Sequence, residues 1–98
     1  MPNQAKKPVK LQINNSGAWK DVVFFDADDD DRSLQIMMAA ARLYGVVNEG
    51  LEKPQLAMRI VTAEAVPVPL IRCEDIVRDD ASMQPRGRWF NVLTGQSL

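Results

Sequence analysis

The chain contains no histidine and one cysteine, Cys73, among its 98 residues. The absence of histidine removes the commonest general base and the commonest metal ligand. A lone cysteine excludes an intrachain disulfide, a zinc knuckle, a CxxC redox pair and a Cys–His dyad, and a single thiol suits a reducing compartment. Glycine is sparse: the five residues stand apart at 17, 45, 50, 87 and 95, so no Gly-rich phosphate loop is formed. No apolar run approaches the roughly 18–20 residues of a membrane span. The opening MPNQAKKPVK has lysines but no hydrophobic core after them, unlike a signal peptide. These readings give a cytoplasmic protein without a membrane segment.

What is present is ordinary globular material, 46% hydrophobic and 26% charged. At this length a single domain is expected. Twelve basic residues face thirteen acidic ones, a net charge of −1, which disfavours a strongly basic nucleic-acid binder. The charges are segregated. Up to Phe25, Lys6, Lys7, Lys10 and Lys20 outnumber Asp21, whereas Asp26, Asp28, Asp29, Asp30 and Asp31 form one acidic block. Separated patches with little net charge favour association with a partner or with a second copy.

Periodicity predicts the order strand, strand, helix, strand, strand, strand. Val9, Leu11 and Ile13 alternate with Lys10 and Gln12, and Asn14–Gly17 supplies residues that tolerate positive φ. Ala18–Phe25 resumes as a strand with Trp19, Asp21, Val23 and Phe25 on one face. Both its faces are apolar by Val22, which predicts a central strand or one covered on both sides at its end. One aspartate of Asp26–Asp31 should cap the helix that follows, with others favoured near the macrodipole's positive end. Leu34, Met37, Met38, Ala41, Tyr44 and Val47 form its apolar stripe, widened by Ile36, Ala40 and Leu43. Arg32, Gln35, Arg42 and Asn48 lie elsewhere. Ala39–Ala41 would allow close approach to a sheet, and Gly50 is a stop signal.

Gln55–Ala63 reads as a strand with Leu56, Met58 and Ile60 inward and Arg59 outward. Pro67 and Pro69 lack N–H groups along one edge, which predicts an edge strand or an extended non-strand segment for Val66–Cys73. Glu74–Arg86 reads as loop with one short helical turn at Glu74–Arg78, and Arg88–Leu93 as a last short strand. The fold class is therefore α+β: a mostly antiparallel sheet, order β-β-α-β-β-β, with one long helix packed on one face. Residues 1–8 are expected as a flexible tail, 9–94 as the domain and 95–98 as a second tail.

Each candidate site has a plain structural reading beside it. Asp26, Asp28 and Asp30 take positions 1, 3 and 5 of an EF-hand loop, but Asp31 stands where glycine is needed and Met37 where the bidentate glutamate belongs. Capping and solvation explain the run better, and no metal or cofactor is expected. Glu74–Asp75 and Asp79–Asp80 are sequence neighbours that point apart, unlike glycosidase carboxylates facing across a cleft. Pro67-Val68-Pro69 is not PxxP. Met37 and Met38 suit core filling. Trp19 suits a core anchor first and an exposed contact second.

The leading function is non-enzymatic protein binding, with a homodimer among its forms and Trp19, Asp28, Asp29, Asp30 and Asp31 as contacts. The alternative is a nucleic-acid-binding module using Lys6, Lys7, Lys10, Arg86, Arg88 and Trp89 through phosphate contact and stacking. A small enzyme without histidine is the third reading; it requires a deep pocket holding at least two carboxylates.

Leu11–Asp26, LQINNSGAWKDVVFFD, followed by a helix, resembles the N-terminal hairpin of small phage- and prophage-encoded bacterial proteins. The resemblance covers that stretch only and carries no catalytic signature. It implies a bacterial cytoplasmic setting and an accessory role exercised by binding host or phage proteins.

Overall fold

The computed structural model describes residues 6–78 and 84–98. The Asp79–Asp80 pair and the tail before Lys6 lie outside the described residues. The elements run β1 (Pro8–Asn14), β2 (Lys20–Asp26), α1 (Asp30–Asn48), β3 (Ala57–Thr62), β4 (Pro69–Arg78) and β5 (Pro85–Asn91). The strands form one antiparallel sheet in the spatial order β2-β1-β3-β4-β5, and α1 lies on one face, closest to β5. This is the α+β architecture and element order that the periodicity predicts.

The alternation of β1 decides which face meets the helix. Val9 and Leu11 are buried against α1 with Met58 and Ile60 of β3, Cys73 of β4 and Trp89 of β5. Lys10 and Gln12 point the other way, as a pleated strand requires. The β1–β2 turn closes when Gly17, at φ +95°, donates its N–H to Asn14 Oδ1 at 2.9 Å.

Three features of β2 depart from expectation. Among the described residues it is an edge strand, paired only with β1. Val22 and Phe24 are 53% and 62% exposed, not covered on both sides. Its register also slips between Leu11 and Gln12, where Leu11 pairs with Val23 but Gln12 with Asp21. Val22 is the extra residue of this bulge. Val23 and Phe25 therefore pack toward the helix side, while Asp21 comes to lie beside Gln12 on the opposite face. The expected common face of Trp19, Asp21, Val23 and Phe25 is broken at this point.

Asp29 caps α1. Its Oδ1 accepts from Arg32 N at 3.0 Å, and Asp30 and Asp31 occupy the first turn, where carboxylates favour the macrodipole. The buried side of α1 is Ala40, Ala41, Tyr44, Gly45 and Asn48, flanked by Ile36, Met37 and Val47. The apolar stripe is thus narrower than predicted: Leu34, Met38 and Leu43 are exposed, so Met38 fills no core. Ala39 is exposed too.

The closest approach is made by glycine. A β-carbon on Gly45 would collide with the Pro85 carbonyl carbon and lie 2.5 Å from Arg86 N and Pro85 O. One on Gly87 would strike Cys73 Sγ and lie 2.7 Å from Tyr44 Cδ1. Trp89 fastens the contact by donating its indole N–H to Met37 O at 2.9 Å.

Asn48, placed off the apolar stripe by sequence, is only 3% exposed. Its Nδ2 donates to Leu56 O at 2.8 Å, and its Oδ1 accepts from Gln55 N at 2.7 Å and Leu56 N at 3.0 Å. A buried amide that satisfies three backbone groups fixes the loop between α1 and β3.

The second half corrects two further expectations. The strand begun by Pro69 is interior, between β3 and β5. Pro69 is its first residue and Pro67 precedes it, so neither proline interrupts the ladder's interior. The strand also continues through Glu74–Arg78, where loop and a helical turn were expected. Asp75 supplies a bulge at φ +56°, and beyond it Ile76, Val77 and Arg78 pair with Gly87, Arg86 and Pro85. The charges of this stretch mask a strand whose ladder is set by β5. Residues 96–98 run beside β5, with Asn91 N donating to Gln96 O and Leu98 N to Trp89 O.

Candidate functional site

With α1 on one side, no helix or strand among the described residues covers the other face of the sheet. The register lines its side chains into rows. Asp21 of β2, Gln12 of β1, Arg59 of β3, Arg72 of β4 and Phe90 of β5 stand opposite one another in sequence across all five strands. A second row runs Phe24, Lys10, Val61 and Pro69, and Glu74 faces Arg88 at the β4–β5 end.

The first row is a hydrogen-bonded chain. Lys10 Nζ reaches Asp21 Oδ2 at 3.2 Å, and Gln12 Nε2 donates to Asp21 Oδ1 at 2.9 Å. Arg59 Nε in turn donates to Gln12 Oε1 at 2.9 Å. These donors hold the Asp21 carboxyl below its ordinary range, the Gln12 hydrogen bond first and the Lys10 bond and charge after it. Gln12 is 5% exposed although no element lies over it. The Arg59 guanidinium carbon sits 4.0 Å from the centroid of the Trp19 ring.

Two more cations sit over rings on the same face: Lys10 5.5 Å from Phe24, and Arg88 5.7 Å from Phe90. Such contacts are worth about 0.5–1 kcal/mol at exposed sites. They hold aromatic rings at the surface that would otherwise favour collapse. Arg72 Nε pairs with Glu74 Oε2 at 2.9 Å. By strand alternation the face therefore carries five cations, Lys10, Arg59, Arg72, Arg86 and Arg88, against three carboxylates, Asp21, Asp26 and Glu74.

Trp19 belongs to this face and is 37% exposed. It is not a core anchor, because Val22's bulge turns the start of β2 away from the helix side. The acidic run does other work. Asp26 accepts N–H groups from Asp28 at 2.9 Å, Lys7 at 3.1 Å and Lys6 at 3.3 Å, and these hold its carboxyl below the ordinary range, Asp28 contributing most. Asp29 is the cap, Asp28 pairs with Lys7 at 3.5 Å, and Asp30 and Asp31 are exposed. No group of three acidic, cysteine or histidine side chains among the described residues is arranged to hold a metal ion.

The residues proposed for nucleic acid are dispersed. Trp89 is buried in the core with its N–H spent on Met37 O, so it offers no stacking face. Lys6 and Lys7 lie at the Asp26–Asp28 end. Arg86 stands opposite Val77 and alternates with Arg88 and Phe90 along β5, so Lys10, Arg86 and Arg88 share the uncovered face while Trp89 does not.

A groove of about 700 Å³ between α1 and β5 is lined by Leu34, Met38, Trp89 and Leu98 with Arg42 and Arg86 among its polar residues. A depression of about 410 Å³ near Tyr44 and Asn48 carries Glu52, Glu74 and Asp75, all three exposed to solvent. Burial pushes the Cys73 thiol up to about 12, with Glu74 adding to the effect, which leaves it protonated and unreactive at neutral pH.

Among the described residues no helix is long and apolar enough to cross a membrane. No protein-family model, no curated protein and no solved structure matches the chain.

Sequence reasoning named Trp19, Lys10, Arg86, Arg88 and Phe90 but missed Gln12, Phe24, Arg59 and Arg72, and did not join them into one surface. The available signal was the polar position inside each alternating strand, Gln12 in β1 and Arg59 in β3. What joins them is cross-strand register, which no local pattern states.

Proposed function

We propose that this chain is a non-enzymatic binding protein whose contact surface is the uncovered face of its sheet, and that its partner is another protein. The observation that carries the reading is the set of ring–cation stacks at Trp19, Phe24 and Phe90 on a face with no covering element. Aromatic residues and arginine are enriched in the buried centres of protein interfaces. Here they are ordered before any partner arrives, which lowers the entropy cost of association. The Leu11–Asp26 resemblance supports an accessory role in a bacterial cytoplasm, and the same stretch supplies Gln12, Trp19, Asp21 and Phe24 of the face.

Affinity capture from a bacterial lysate with wild type and a Phe24→Ser variant tests the reading. Proteins held by wild type and lost from the variant support it, and identical captured sets refute it. Light scattering at rising concentration identifies a self-partner: twice the 11.0 kDa chain mass assigns the face to a homodimer.

A further inference from the structure

Arg59 is held unlike any other cation on the face. Its Nε is committed to Gln12 Oε1 at 2.9 Å, and its plane rests 4.0 Å over Trp19. Gln12 is fixed in turn by Asp21, and Asp21 by Lys10. Among the described residues no protein acceptor takes the two Nη groups of Arg59. A guanidinium pinned at Nε and stacked on a ring presents its remaining donors as a rigid fork matched to a two-oxygen acceptor.

The second observation is the neighbour. Arg72 stands directly opposite Arg59 on the adjacent strand, about 4.7–4.9 Å away in the pairing direction. Like charges directly opposed destabilise a sheet; Glu74 offsets this at Arg72, and an anion on the Arg59 fork offsets it on the other side.

Resting on the binding role just described, we propose that Arg59, with Arg72 beside it, receives a carboxylate side chain of an acidic peptide segment laid across the uncovered sheet face, Phe24 and Phe90 taking its apolar neighbours. A protein carboxylate fits better than a phosphate backbone. Lys10 and Arg72 are already paired with Asp21 and Glu74 on the same face. Nucleic-acid affinity depends on several unneutralised cations along a track, whereas a single fork serves one carboxylate. Five cations against three carboxylates on this face, in a chain of net charge −1, give it the local sign an acidic partner needs.

The test is selection of a random dodecapeptide display library on the full chain. The recovered peptides are then measured against Arg59→Lys and Phe24→Ser, with thermal melts to establish that each variant folds. The expected peptides carry Asp or Glu beside apolar residues. Arg59→Lys keeps the charge but loses the fork and should weaken binding roughly 10- to 100-fold. Replacing the peptide's carboxylate by its amide should weaken wild type comparably and leave Arg59→Lys nearly unchanged. Peptides without carboxylates, or equal binding to folded Arg59→Lys, overturn the carboxylate assignment. The binding face itself survives that result if Phe24→Ser still abolishes binding, and fails if Phe24→Ser binds like wild type. Salt-sensitive binding of a 15-nucleotide oligo(dT) that is lost in Arg59→Lys assigns the fork to phosphate and also overturns the proposal.

Discussion

Replacing Gly45 with alanine tests how α1 is seated on the sheet. Judged by helix propensity alone, the change should stabilise the protein by about 1 kcal/mol, since glycine is the poorer helix former. The structure reverses that sign. The new methyl would collide with the Pro85 carbonyl carbon and lie 2.5 Å from Arg86 N and Pro85 O. Carbon atoms in contact prefer about 3.5–4.0 Å, so α1 must retreat by about 1 Å. The obstructing atoms are backbone, held by pairing of β5 to β4 at Val77–Arg86 and Arg78–Pro85, and cannot rotate aside. Overpacking costs about 1–3 kcal/mol and sometimes more. With an immovable neighbour the upper end applies, leaving net destabilisation of about 2 kcal/mol after the propensity gain. For a domain of this size that lowers Tm by roughly 8–16 °C. The assay is urea and thermal unfolding followed by circular dichroism, with Ala39→Gly on the exposed side of the same helix as reference. That reference should lose only about 1 kcal/mol. A Gly45→Ala protein as stable as wild type, or more so, refutes the close seating of α1 on β5.

Asn48→Ala strands the N–H groups of Gln55 and Leu56 and the carbonyl of Leu56, and should cost about 2–6 kcal/mol in urea unfolding, since the two Leu56 groups are buried and each unmet buried group costs about 1–3. Native Cys73 should resist iodoacetamide at pH 7.5 and react at once in urea. Because burial raises its pKa to about 12, the folded state holds the proton more tightly than the unfolded chain. Its contribution to stability is complete below the ordinary thiol value of about 8.5 and is lost as pH rises toward 12; Cys73→Ala should flatten this alkaline decline. Tyr44, raised mainly by its burial, acts in the same direction and remains in that variant. Asp26 behaves oppositely. Its lowered pKa gives a contribution present above the ordinary carboxylate value and lost as pH falls through the folded one, so Asp26→Asn should show a weaker acid limb in a pH titration of Tm.

Much of the fold is legible because its elements obey simple periods. The strict alternation of Val9–Ile13 marks β1 and its buried face, and an acidic run followed by spaced apolar residues marks α1 and its cap. Features set by tertiary pairing are hidden. The bulge at Val22 reverses the side on which the start of β2 presents itself, and no residue of KDVVFFD announces it. The interior place of β4 is masked by Pro67 and Pro69, which sit where the ladder starts and not within it. Leu34, Met38 and Leu43 extend the helical stripe in sequence, yet the sheet is reached through Ala40, Ala41 and Gly45, because small residues allow the approach that larger ones prevent. The candidate face is the least legible part. Asp21, Gln12, Arg59 and Arg72 come from four strands, and only the register makes them one surface.

The central claim, that the partner meets the uncovered sheet face and not the helix side, is tested most directly by nitrogen–proton NMR. The labelled chain is titrated with the best peptide recovered by display. The chain has two tryptophans, one on each side of the sheet, and each indole N–H gives its own signal. The account predicts that the Trp19 indole and the Arg59 Nε–H shift with added peptide, while the Trp89 indole, bonded to Met37 O in the core, stays in place. Shifts concentrated on Leu34, Met38 and the Trp89 indole, with Trp19 unmoved, would contradict it.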